Sequence, residues 1–337
     1  SFGPQFMRPL RVLFVPTSNA GVSFYRFWNW TIAAHRTQAM LANTLWWNKA
    51  QHETHPWEVD ITDSMHASRL KNELWERLLW ADIAVFQMVH TRAALDTFLA
   101  MKEAAMDSRI PELRKQRGLP HMGPTPFLAE CDDNYLSTAD YNPASAVYGP
   151  GSEFREVALS QFKAADGLIV STKYLKDLYS DFNDNIEVVE NSIDFKIWDA
   201  TKRKRREGIR IGWAGGASHD GDLKIIEPVV HNILNKYRDA RFVLVHGIPA
   251  FLRNIPRVEC VEKFSRIDKY PAFLASRGFD IMLAPLVDNA FNRGKSNLRW
   301  LEAAGLGLPC VASNVGHFKE RLRHGEDVLL ADTPEDF

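Results

Sequence analysis

Residues 280–316 carry an apolar strand, a helix and a second apolar strand in close succession, and few folds accept that arrangement. The strands are read over 280–285 and 309–313. Between them, Lys295 to Leu306 places Leu298, Leu301, Ala304 and Gly305 at helical spacing. Such a β-α-β unit implies parallel strands, and parallel sheets take ligands in the crevice beyond the carboxyl ends of their strands. Lys295, Ser296 and Asn297 are expected at the helix start, where unpaired N–H groups and the helix dipole attract phosphate. Glu302 lies two turns further in, on an otherwise apolar face. A carboxylate there is costly unless it accepts hydrogen bonds: ribose hydroxyls would supply them, and an internal ion pair is the alternative. The segment reads as a site for a nucleotide diphosphate.

The same alternation runs through the rest of the chain. Strands are expected at 11–16, 57–61, 82–88, 126–130, 167–171 and 186–190, with a long helical segment from about Val22 and helices at 68–79, 93–106, 152–165 and 172–179. After the polybasic stretch 202–206 the pattern restarts. Strands are then expected at 208–213, 241–246, 257–261 and 327–330, with helices at 222–236, 268–276 and 317–323 flanking the opening unit. The boundary falls at the polybasic stretch, so the domains are expected at 7–195 and 207–337. Residues 1–6, ahead of Met7, read as a tag remnant, and 334–337 read as the opening of a further helix whose continuation is missing.

A chain of 337 residues, 45% apolar and 25% charged, can bury two medium cores. No apolar run is long enough to span a bilayer and no leader pattern opens the chain, so a cytoplasmic location is expected. Three widely spaced cysteines, Cys131, Cys260 and Cys310, support neither a disulfide framework nor a zinc site. The net charge of −1 exerts no global pull toward nucleic acid or membrane.

Several stretches together resemble the group 1 glycosyltransferases. They are 211–216 (Ile-Gly-Trp-Ala-Gly-Gly) with Ser218, His219, Asp222 and Leu223, then 292–303, then Gly307-Leu308-Pro309 with 311–313. In the first half, 21–26, 131–134, 165–172 and 191–194 resemble a subgroup common in bacteriophages and in bacterial surface-polysaccharide clusters. The resemblance covers most of the chain. It implies an α/β GT-B fold, two facing Rossmann-like domains with a central cleft, and a retaining hexosyl- or pentosyltransferase. It also implies a nucleotide-diphosphate sugar, UDP- or GDP-linked, as substrate, with no other cofactor and no metal. Family members have two glutamates eight positions apart. Glu302 matches the second, which in the family binds the ribose, whereas Gly294 stands at the first. An Arg and a Lys that many members carry after the glycine turn of the second domain are also replaced, here by Gly216, His219 and Asp222.

Sugar transfer requires stabilising the departing diphosphate, and the expected cations are Lys295, Arg293 and Arg26. Gly215 and Gly216 follow a strand, where a missing side chain lets backbone approach a phosphate; a plain tight turn is the alternative. His219 either binds a donor phosphate or hydroxyl or caps the next helix with Asp220 or Asp222. In the first domain Gly21 lies in the loop after the first strand, and Arg26 just inside the following helix. His90 stands near where the family often has a histidine by the reacting sugar, and is otherwise structural. Asp132 and Asp133 would orient an acceptor hydroxyl or act as base, or simply cap and bond the loop.

Two acceptors fit. A glycan needs only hydroxyl-binding groups, whereas hydroxymethylated bases of phage duplex DNA need a positive track and aromatic surface. Arg109, Arg114, Lys115 and Arg117 form one basic segment and residues 202–206 another, with Trp28, Trp30, Trp46 and Trp47 as aromatic surface or core. The phage-like motifs tilt the expectation to DNA. A non-catalytic nucleotide-sugar or nucleic-acid binder on a degenerate scaffold is the remaining reading, kept open by Gly294 and the altered basic pair.

Overall fold

A computed structural model describes residues 9–16, 23–31, 33, 40–44, 77–119, 123–199, 202–245, 247–261 and 269–337. The chain divides into two compact units. One comprises Ser1–Cys131, Glu153–Val170 and Lys176–Val189; the other comprises Asp132–Ser152, Ser171–Leu175 and Glu190–Phe337.

The first unit is built on a wholly parallel sheet of β1 (Leu10–Val15), β2 (Met40–Thr44), β3 (Ile83–Gln87), β4 (Phe127–Cys131), β5 (Gly167–Val170) and β6 (Ile186–Val188). The strand order is β2-β1-β3-β4-β5-β6, so direction of growth reverses between β1 and β3. Helix α1 (Arg92–Ala105) begins where the Thr91 hydroxyl accepts the Ala94 N–H, and buries Leu95, Phe98 and Met101 at helical spacing. Phe98 meets Phe86 of β3 and Phe127 of β4 at 5.1 and 5.9 Å between ring centres. Helices α2 (Ile110–Gln116), α3 (Glu153–Ala164) and α4 (Lys173–Leu178) complete this stretch of the chain.

Two expectations change here. The helical segment expected from about Val22 is present, helical over 23–31 with a wide turn at Phe24–Trp28, but the strand that follows it, β2, was not expected: its partly polar Met-Leu-Ala-Asn-Thr sequence is held by pairing in register with β1. The strand expected at 57–61, most of the helix expected at 68–79, and Gly21, Trp46 and Trp47 lie outside the described residues. The basic segment is also not wholly open, since one of its cations is buried and another is paired. Arg114 is 1% exposed and donates to the carbonyls of Leu78, Leu79, Ala81 and Gly123 and to Thr125 Oγ1. Carbonyls at a helix end lack partners of their own, and a buried guanidinium supplies several donors at once. Arg109 in turn grips Asp107 at 2.6 Å.

The second unit carries β7 (Ile209–Ala214), β8 (Ala240–Val245), β9 (Val258–Val261), β10 (Ile281–Ala284), β11 (Cys310–Ser313) and β12 (Leu329–Ala331). They form a second parallel sheet in the order β12-β11-β10-β7-β8-β9. Strands β8 and β9 extend from one side of β7 and β10 to β12 from the other. The switch point therefore lies between β7 and β10, where such sheets bind ligands. The helix expected over 222–236 is two, α5 (Asp220–Lys224) and α6 (Glu227–Lys236), because Pro228 fits only the first turn of a helix. Helices α7 (Tyr270–Ala275), α8 (Ala290–Arg293), α9 (Leu298–Gly305) and α10 (Gly316–Arg321) follow. Gly307, at φ +62°, takes the left-handed turn that ends α9 and admits β11. Trp213, Leu223, Val230, Phe242, Leu244 and Val311 belong to one buried cluster.

The polybasic stretch is also partly consumed. Arg203 donates to the carbonyls of Gly307 (2.9 Å) and Phe279 (3.1 Å), and Arg206 to that of Ser276. Among the described residues no helix is long and apolar enough to cross a membrane.

Candidate functional site

At the switch point of the second unit the chain leaves β7 through Gly215 and Gly216 and enters α5. The Gly216 carbonyl accepts the His219 N–H at 3.1 Å, which closes the turn. His219 does not cap α5 with its side chain. Its Nδ1 lies 2.7 Å from Oδ2 of Asp222, whose residue is fully buried. Oδ1 of the same carboxylate accepts from the Tyr141 hydroxyl (2.8 Å), the Asn292 amide (2.7 Å) and the Val287 N–H (2.9 Å).

These bonds settle the charges. Burial opposes ionisation of Asp222, but the His219 hydrogen bond, the Val287 N–H and the Tyr141 hydroxyl outweigh it and lower its pKa. His219 is brought down to about 4, first by burial and then by the positive charge of Arg299, with its bond to Asp222 opposing. At neutral pH the pair is an anionic carboxylate and a neutral imidazole whose Nδ1 carries the proton, which leaves Nε2 as an acceptor. The Tyr141 hydroxyl is pushed up to about 12, by burial first and then by Asp222, and stays a donor.

The helix carrying Glu302 begins later than expected. Asn289 caps the short helix α8 by accepting the Asn292 N–H. Gly294 and Lys295 then turn back onto the carbonyls of Phe291 and Asn292, and α9 opens at Leu298 with Asn297 as its N-cap. Lys295 and Ser296 thus lie in the turn between the two helices rather than in a first helical turn. Gly294 sits where a Cβ would come within 3.0 Å of the Leu175 side chain, so this position has little room for the family's glutamate.

Lys295 forms an ion pair with Asp133 at 2.7 Å, and Ser296 Oγ accepts from the Asn191 amide at 2.7 Å. Asp132 accepts the Ser171 hydroxyl with its main-chain carbonyl. Arg293 pairs with Asp288 at 2.6 Å on the exposed rim. Asn297 is buried, and Glu302 is 5% exposed. The negative charge of Glu302 adds to burial in raising the Tyr270 pKa well above its usual value, while Arg299 opposes.

The second unit therefore brings together Gly215, Gly216, His219, Lys295, Ser296, Asn297, Glu302 and Asp133, with Arg293 at the edge. Arg26 and His90 belong to the first unit. Arg26 is 1% exposed. Its Nε donates to Glu130 Oε1 and its Nη1 to the Val189 carbonyl, both at 2.6 Å. His90 follows β3, and burial lowers its pKa.

Sequence reasoning missed Arg299, Tyr141 and Asn292. The Arg299 guanidinium lies over the Trp213 ring, 5.1 Å from its centre. Its signal was available in the sequence: Arg299 stands three residues before Glu302 and so shares its helix face. Tyr141 and Asn292 are 81 and 70 positions from Asp222, and no local pattern links them. Among the described residues no group of three or more His, Cys, Asp and Glu side chains is placed to hold a metal ion.

Two parallel Rossmann-like sheets in this order, with a polar site at the switch point of the second, define a GT-B-type α/β protein. Its structure is similar to that of Anabaena HepE in complex with UDP-glucose (TM-score 0.59, 13% identity, covering 96% of this chain and 86% of that one). It is also similar to the catalytic domain of Arabidopsis thaliana starch synthase IV bound to ADP and acarbose (TM-score 0.57, 12% identity, 96% and 87%). A third likeness is to the apo lipopolysaccharide outer core galactosyltransferase WaaB (TM-score 0.52, 12% identity, 96% and 86%). No curated protein matches the chain. Residues 209–337 match the family model described as "Glycosyl transferases group 1".

Proposed function

We propose that this protein transfers a sugar from a UDP- or GDP-linked donor to a hydroxyl, with retention at the anomeric carbon. The bond from the anomeric carbon to the diphosphate breaks, and its electron pair leaves on the phosphate oxygen. The acceptor oxygen bonds to the same face of that carbon, and its proton passes to the departing phosphate. The observation that carries the reading is Glu302: a carboxylate buried on α9, on the helix that opens next to Lys295 at the switch point. In this reading Glu302 holds the ribose, Gly215 and Gly216 admit the diphosphate, and neutral His219 accepts a donor hydroxyl at Nε2. Asn297, Ser296 and the turn through Lys295 line the phosphate side. The UDP and UDP-glucose complexes of HepE support UDP as the nucleotide.

For the acceptor, a glycan hydroxyl is favoured over modified DNA, because Arg114, Arg203 and Arg206 are bonded to main-chain carbonyls instead of lining an open track. We assign Arg26 to the folding of its own unit, Asp133 to holding Lys295, and Asp132 and His90 to the acceptor side.

The test is a panel of nucleotide sugars read by thermal shift and by release of free sugar without acceptor. UDP- or GDP-sugars should raise the melting temperature and turn over slowly, and Glu302→Ala should abolish both while remaining folded. Binding without turnover would leave a nucleotide-sugar binder, and no response to any donor would end the transferase reading. The anomer of the transferred sugar, read by NMR, decides retention. Tight, salt-sensitive binding to duplex DNA would reverse the acceptor preference.

A further inference from the structure

The structure assigns the diphosphate of the donor to Arg299, a residue on α9, in place of the loop cations Lys295 and Arg293. The inference deepens the donor reading above and rests on it. Among the described residues three positive side chains stand around the switch point of the second unit, and two are already paired: Lys295 with Asp133 at 2.7 Å and Arg293 with Asp288 at 2.6 Å. Arg299 differs. Among the described residues its guanidinium makes no hydrogen bond and no ion pair; its close neighbours are the face of Trp213 and the backbone of Gly215. A guanidinium carries five N–H donors in a planar fork, and a half-buried one without an acceptor is a donor set awaiting a ligand.

Its position is set from two sides. The Trp213 ring holds the guanidinium by a cation–π contact, its centre 5.1 Å from Cζ. Gly215 provides the space: a Cβ built there would run into the Arg299 guanidinium and come within 2.7 Å of the Trp213 ring. The glycine that follows β7 therefore leaves room for an arginine arriving from another element, beside the turn Gly215–Gly216. The charge reaches the surrounding groups, since it helps to lower the His219 pKa and opposes the rise at Tyr270 and Cys310. Around this cation lie a neutral imidazole, a tyrosine that keeps its proton and a thiol pushed up to about 12 by burial, none of which competes with an incoming phosphate for it; the Glu302 carboxylate, on the same helix face, makes no ion pair with it. A planar fork with parallel N–H groups matches two phosphate oxygens at once, and an ammonium does not.

The experiment compares UDP with uridine by calorimetry, on wild type, Arg299→Gln and Arg299→Lys. Arg299→Gln should weaken UDP by about 10- to 100-fold and leave uridine unchanged. Arg299→Lys should fall between wild type and Arg299→Gln for UDP. Inorganic pyrophosphate should displace UDP from the wild type and do so poorly in Arg299→Gln. Equal UDP affinity in wild type and Arg299→Gln overturns the inference while the donor reading stands. If Arg299→Gln does not fold, unchanged UDP affinity in Arg299→Lys overturns it instead. A wild type that binds neither UDP nor GDP ends both readings together.

Discussion

The imidazole Nδ1 of His219 stands 2.7 Å from Oδ2 of Asp222, a carboxylate with no exposed surface and three further donors on its other oxygen. The pair joins the turn after β7 to residues 141, 287 and 292 and settles one tautomer of the histidine. Its electrostatics have a sign that can be measured. Unfolded, His219 titrates near 6.5; folded, near 4. Between those values the unfolded chain binds the extra proton, so the contribution of this site is complete above the unfolded value and is lost as pH falls through the folded one. Fully developed it is about 3 kcal/mol. Urea unfolding at neutral pH and at about pH 5 should show a flatter pH dependence in His219→Asn than in wild type.

Gly215→Ala should act on the donor without unfolding the protein. The new methyl meets the far end of a flexible arginine, which can move aside, and comes within 2.7 Å of the buried Trp213 ring, which must shift, so a lowered melting temperature accompanies the donor effect; the backbone of Gly215 is not in the left-handed region. Displacing the guanidinium should lower UDP affinity and spare uridine, as Arg299→Gln does. Calorimetry with UDP and with uridine, and a melting curve as control, checks it.

In the first unit Arg26 and Glu130 form a buried ion pair at 2.6 Å, with side chains 1% and 2% exposed. Burial raises the Glu130 pKa, and the Arg26 charge and hydrogen bond oppose it. Removing one partner strands the other, so Arg26→Ala should destabilise by about 3–5 kcal/mol. Adding Glu130→Gln should recover part of that loss. Denaturant unfolding of the single and double variants gives the coupling directly.

Arg114 and Arg117 stand three positions apart and should behave oppositely. Arg114→Ala leaves the carbonyls of Leu78 and Leu79 without their buried donor, Ala81 keeping the Thr125 hydroxyl, and should cost about 3 kcal/mol. Arg117 is exposed, and Arg117→Ala should stay within about 0.5 kcal/mol of wild type. Melting temperatures of the two variants separate the structural arginine from the surface one.

The β-α-β unit at 280–313 was legible because each of its strands is an apolar run bounded by polar or Pro residues, and each signal is local. The start of α9 was not. Gly294 and the bond from Asn191 to Ser296 hold Lys295 and Ser296 in a turn, and Asn191 lies 105 positions away. Strand β2 was missed for a related reason, since Met40–Thr44 has no strong strand pattern and takes its form from the ladder with β1. Glu302 could be picked out as a costly carboxylate on an apolar face. Which cation would serve beside it could not, because charge in a sequence carries no record of its partner.

What the chain determined by itself is the alternation of apolar strands and amphipathic helices, since hydrophobic periodicity is written in neighbouring residues, and with it two parallel sheets and the glycine turn after β7. Tertiary structure alone decided which charges are spent and which are open: Asp133 on Lys295, Asp288 on Arg293, carbonyls on Arg114 and Arg203, and, among the described residues, an indole face with no acceptor against Arg299. The reason is range. Burial and ion pairing depend on groups brought together from distant parts of the chain, and these contacts set the pKa of His219 and the orientation of Arg299 after the local pattern has already been satisfied.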